Sequence, residues 1–133
     1  MADAVTSQTI IDGERTAVMK FTNVSDGTGE SAVTKVDVSA LSTNRLGAPC
    51  ASVQINKVWY VTAGMGVNIL FDATADVLAM GLPADSEGTL DFSSFTGIPN
   101  NAGSGKTGDI QFTTVGHTSG DTYMVVLELI KNY

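Results

Sequence analysis

Residues 52–62 read SVQINKVWYVT, residues 63–66 read AGMG, and residues 67–72 read VNILFD. Apolar side chains recur at every second position on both sides of the AGMG segment: Val53, Ile55, Trp59 and Val61, then Val67, Ile69 and Phe71. Successive side chains of an extended strand point to opposite faces, so this period of two predicts two strands, each with one apolar face. Lys57 interrupts the first run. The two glycines of AGMG supply the backbone freedom of a tight connection, which makes the pair a β-hairpin.

The same pattern extends in both directions. Upstream, residues 15–24 (RTAVMKFTNV) set Ala17, Met19 and Phe21 against Thr16, Lys20 and Thr22. The turn string SDGTG at 25–29 leads to a strand at 32–39, and Asn44, Gly47 and Pro49 break the loop at 41–51. Downstream, DATAD at 72–76 turns the chain into a strand at 77–82, PADSEG at 83–88 ends it, and residues 89–92 form a short strand. A glycine-rich loop at 93–108 precedes a final hairpin, 109–115 and 121–131, joined by GHTSG at 116–120. Val, Ile and Thr make up 37 residues, and β-branched side chains favour strands. About eight strands at intervals of about 10–15 residues, with no convincing helix, predict an all-β fold: an antiparallel β-sandwich, jelly-roll-like. Residues 1–11 read as an N-terminal arm or edge strand, and 12–133 as a single β-sandwich domain. The expected core comprises Phe21, Val53, Ile55, Trp59, Val67, Ile69, Phe71, Ile110, Phe112, Val125 and Leu127.

Composition narrows the function. The 133 residues carry 7 basic and 14 acidic side chains, a net charge of −7, and only 16% charged residues. Binding to nucleic acid through phosphates needs a clustered Lys/Arg surplus, so no nucleic-acid partner is expected. An anionic membrane surface repels the chain for the same reason. Charge covers little of the surface; Thr (16), Gly (14), Ser (11) and Asn (7) take its place. One cysteine, Cys50, allows no intrachain disulfide. The start has neither a basic nor an apolar leader region, so a secretory signal is not expected and the protein is placed in a cytoplasm at synthesis.

Candidate chemistry is thin. Gly103-Ser104-Gly105-Lys106-Thr107 ends like a phosphate-binding loop, but position 100 is Asn where that motif requires Gly, and a strand follows instead of a helix. A flexible turn is the expected reading. His117, the sole histidine, has Ser119 and Asp121 beside it, yet neighbours on a tight turn do not converge into a catalytic triad. Cys50 reads as a buried structural thiol. The carboxylates at turns, Asp72/Asp76, Asp85/Glu87/Asp91 and Asp109/Asp121, suit backbone capping better than a glycosidase pair or a calcium loop. No catalytic residue, cofactor or metal is expected, and the chain is read as no enzyme. Trp59 and Tyr60 are the one pair that could stack a sugar, provided they face solvent.

The strings themselves carry a resemblance. Residues 14–23 (ERTAVMKFTN) running into 25–30 (SDGTGE), residues 100–114 (NNAGSGKTGDIQFTT) and the strand at 123–129 together resemble small virion structural proteins of tailed bacteriophages. The resemblance implies a capsid decoration (cement) protein, a β-rich subunit added in many copies to the outer surface of the head shell. Its partner would be the major capsid protein, and its location the virion surface after synthesis in the host cytoplasm. The alternative is a tail, receptor-binding or carbohydrate-binding β-domain of the virion.

Sheet edges point towards assembly as well. Exposed edges invite pairing unless Lys, Pro or other charges guard them, and five Lys and three Pro are few for this many strands. A homo-oligomer, with a trimer as the expected state, would cover them. Val5, Ile10 and Ile11 make the N-terminal segment apolar enough to dock, and they are the expected interface residues.

Overall fold

Alternation gives each strand one wet and one dry face, and two sheets stacked dry face to dry face bury the apolar half. The computed structural model describes residues 3–133, so Met1 and Ala2 of the N-terminal segment lie outside the described residues. The chain runs through β1 (Ala4–Asp12), β2 (Thr16–Val24), β3 (Val33–Val36), β4 (Ser52–Ala63), β5 (Gly66–Phe71), β6 (Val77–Leu82), β7 (Ser86–Asp91), β8 (Ile110–Val115) and β9 (Thr122–Asn132). Five strands pair in the order β1-β2-β9-β4-β7 and four in the order β3-β8-β5-β6. Every pairing is antiparallel. The molecule is an all-β, two-sheet domain, as its alternation predicts.

Four local expectations change. The two hairpins expected across AGMG and GHTSG do not form: β4 and β9 belong to the five-stranded sheet and β5 and β8 to the four-stranded one, so each short connection crosses between sheets instead of joining paired strands. The segment 83–88 is only half a turn, because β7 already begins at Ser86. The strand expected at 32–39 stops at Val36: the Asp37 carboxylate accepts a hydrogen bond from the Ser39 N–H and starts a short 3-10 turn, Val38–Ala40.

Aromatic contacts bridge the two sheets. Phe112 on β8 meets Phe21 on β2 edge to face, with ring centroids 5.3 Å apart, and meets Tyr123 on β9 at 5.8 Å. The expected core residues are all buried except Trp59.

Trp59 is corrected by a β-bulge. In the pairing of β4 with β9, Ile55 stands opposite Leu129 and Lys57 opposite Glu128, which leaves Asn56 as an extra residue. The alternation therefore changes phase. Val53 and Ile55 face the core before the bulge; Val58, Tyr60 and Thr62 face it afterwards. Strict alternation would have placed Lys57 in the core with no partner, at high cost. The bulge instead sets Lys57 on the outer face between Glu128 and Asp91. Its backbone is held from outside the pair: Phe92 N–H donates to the Asn56 carbonyl at 2.8 Å, and Ile55 and Ile98 exchange both backbone hydrogen bonds. Trp59 and Val61 turn outward as a consequence.

Two measurements check this packing. Phe112→Ala is expected to cost about 3–5 kcal/mol in urea unfolding; a loss below about 1 kcal/mol would show that the bridge is not there. Trp59 is the only tryptophan, so acrylamide should quench the native protein's emission readily. Emission shielded until the protein unfolds would return Trp59 to the core.

Candidate interaction surface

β1 is the outermost strand of the larger sheet and pairs with β2 alone. All nine of its residues are exposed. Val5, Ser7 and Thr9 stand opposite Asn23, Phe21 and Met19, so they share the sheet's inner side. They stay exposed because the facing sheet ends in β3, which has only four residues. An open hollow of about 220 Å³ separates Val5, Thr6 and Ser7 from Val33, Thr34 and Lys35. A bulge between Thr9 and Ile11 leaves both isoleucines at the surface, with Ile10 50% and Ile11 51% exposed, beside Val5 at 45%. The three interface residues read from the sequence thus lie along one strand edge that carries no Lys, Pro or charge before Asp12. The opposite edge of this sheet, β7, carries Glu87 and Asp91.

This edge is fastened at both ends. The Asp3 carboxylate accepts hydrogen bonds from Asn23 Nδ2 (3.1 Å) and from the backbone N–H groups of Asp26 (3.1 Å) and Gly29 (3.2 Å). Burial alone would raise its pKa, but these donors outweigh burial and hold it below the ordinary value. At the other end Lys131, whose side chain is wholly buried, donates to Asp12 Oδ1 (2.7 Å), to the Gly13 carbonyl (2.7 Å) and to the Ser42 carbonyl (2.9 Å). Asp12 also accepts from Ser42 N–H at 2.9 Å. Burial again opposes ionisation, yet the bonds from Lys131 and Ser42 leave the Asp12 pKa lowered. The sequence shows no sign of this lock, because its members are brought together only by the pairing of β2 with β9.

The candidate chemical residues are dispersed. His117 Nδ1 lies 3.0 Å from Thr114 Oγ1, and its ring packs against the bare backbone of Gly29. Asp121 is occupied by Thr118, accepting from its N–H (2.7 Å) and hydroxyl (3.0 Å), so no Ser-His-Asp set forms. Cys50 is buried, its thiol donates to the Ser52 carbonyl at 3.2 Å, and burial pushes its pKa up. The 103–107 string forms a turn in which Lys106 N–H donates to the Gly103 carbonyl, and Thr107 Oγ1 donates to the Asp72 carboxylate at 2.7 Å.

Turn carboxylates hold backbone amides: Asp76 takes Ala73 N–H, Asp85 takes Gly64 N–H, Asp91 takes Ser93 N–H and Asp109 takes Val38 N–H. Burial, with repulsion from Asp37 and Asp72, raises the Asp109 pKa. Among the described residues no group of three or more His, Cys, Asp or Glu is arranged to hold a metal ion.

The sign of the two end locks sets a pH dependence. Asp3 and Asp12 titrate below the ordinary 3.8 in the folded state. Their contribution is therefore complete above that value and is lost as pH falls through the depressed folded values. Amide protection in β1 is expected to drop first on acidification, while β4 and β9 stay protected. Asp12→Asn should abolish most of that acid response at the β1 C-terminal end; an unchanged response would place the lock elsewhere.

No family model matches this chain, and no curated protein sequence matches it. Function is therefore read from the chain's own surface.

Proposed function

We propose that this chain is a structural subunit of a virus particle, a capsid decoration protein that docks on the outer surface of the head shell and associates with copies of itself. The observation that carries the reading is β1: a nine-residue edge exposed along its whole length, uncharged up to Asp12 and anchored at both ends. An open strand edge offers unpaired N–H and C=O groups to a partner, and apolar side chains beside it add burial. Because the edge is held in place beforehand, a partner would not have to order it, which lowers the entropic cost of association.

The strand order supports a jelly-roll reading. β2 pairs with β9, β3 with β8, β4 with β7 and β5 with β6, the pairs of one long hairpin. Rolling that hairpin up brings β9 beside β4 and β8 beside β5. Jelly rolls are common among viral capsid domains, in keeping with the resemblance of residues 14–30 and 100–114 to virion proteins. In this reading the role is non-enzymatic, the partners are the major capsid protein and further copies of the chain, and the trimer is the expected assembly.

Binding to shells that lack this protein tests the proposal. The purified chain should sediment as an oligomer and co-sediment with such shells, raising their heat resistance. Val5→Lys and Ile10→Lys should weaken shell binding by about tenfold or more, with unfolding temperatures close to the parent's. A chain that stays monomeric at high concentration and never co-sediments would overturn the proposal, and full occupancy by both lysine variants would remove β1 from it.

A further inference from the structure

The bulge at Asn56 turns Trp59 onto the solvent face of the five-stranded sheet, away from β1 and independent of any docking there. Strand pairing sets its surroundings. Trp59 stands opposite Thr89 on β7 and Val126 on β9, and Val61 opposite Glu87 and Met124. All of these except Val126, with Tyr60 and Gly88, line an open hollow of about 410 Å³. Gly88 brings no side chain, and the Tyr60 ring lies against it: a Cβ at Gly88 would meet the phenol oxygen at 3.4 Å. The Tyr60 ring, however, points to the inner face, so the solvent side of the hollow combines a partly exposed indole with the Glu87 carboxylate and the Thr89 hydroxyl.

We infer that the Trp59 hollow binds a neutral hexopyranose unit of a glycan. A pyranose has an apolar C–H face, which packs on a flat aromatic ring, and a rim of hydroxyls, which need acceptors and donors at the ring's edge. Glu87 supplies a charged acceptor for such hydroxyls, and hydrogen bonds to a charged group are stronger than neutral ones. The same carboxylate, in a chain of net charge −7, disfavours acidic sugars and phosphorylated ligands. A quaternary ammonium ligand would also suit an indole and a carboxylate, but its recognition relies on a cage of several aromatic faces, and Trp59 offers one. The hollow's size falls in the range of small-ligand sites.

The single tryptophan makes the test direct, because its emission reports occupancy of the hollow. The full chain is titrated with maltohexaose, cellohexaose and N-acetylchitohexaose, with choline as the cationic competitor. At least one oligosaccharide is expected to shift or quench Trp59 emission saturably, with Kd on the order of 1 mM. By calorimetry, Trp59→Phe should weaken that binding by about tenfold and Glu87→Gln by about fivefold, with circular dichroism unchanged. No saturable response to any of the three sugars, a response to choline alone, or equal affinity in both variants would overturn the inference.

Discussion

Phe112 reaches from the four-stranded sheet between Phe21 and Tyr123 of the other, and much of the molecule is arranged around that contact. Edge-to-face rings at this spacing hold two twisted sheets at a fixed separation. The contact also sets the polar interior. The Tyr123 hydroxyl donates to Glu30 Oε1 at 2.5 Å, and Asn23 Nδ2 donates to the same oxygen at 3.0 Å. Lys35 pairs with the other oxygen of Glu30. Burial and the neighbouring carboxylate raise the Tyr123 pKa, so the phenol stays a donor. A carboxylate this deeply buried is tolerated because its oxygens are met by donors and a cation.

The network leads outward to the edge strand. Asn23, on β2, donates to both Glu30 and Asp3, and Asp3 in turn gathers the amides of the loop after β2. At the far end Lys131 performs the matching task through Asp12. Few cations remain to guard a sheet edge. Lys35 and Lys131 are committed to ion pairs with Glu30 and Asp12, and Lys57 lies between two acids on the outer face. The low charge of the chain thus has a structural counterpart: two of its five lysines serve internal fastening, and β1 is left uncharged and open up to Asp12.

The sequence by itself determines most of the strands and turns and the two-sheet class, but not which strands pair: β4 with β5 and β8 with β9 read as hairpins and lie in different sheets. Period-two alternation and Gly/Asp turns are local signals, and residues such as Phe21, Ile69 and Phe112 carry them without reference to the rest of the chain. It also marks Val5, Ile10 and Ile11 as an apolar segment near the N-terminus. Tertiary structure decides what depends on distant partners. The phase of β4 is set by the 92–98 segment bonding to Ile55 and Asn56, which turns Trp59 from an expected core residue into a surface one. Lys57 was the only local hint, a charge where alternation demanded an apolar residue. The clamps at Asp3 and Asp12, and the strip of β1 beyond the reach of β3, exist only once the sheets are stacked. Strand content is local, whereas the face a residue meets depends on register, and one extra residue reverses it for the rest of the strand.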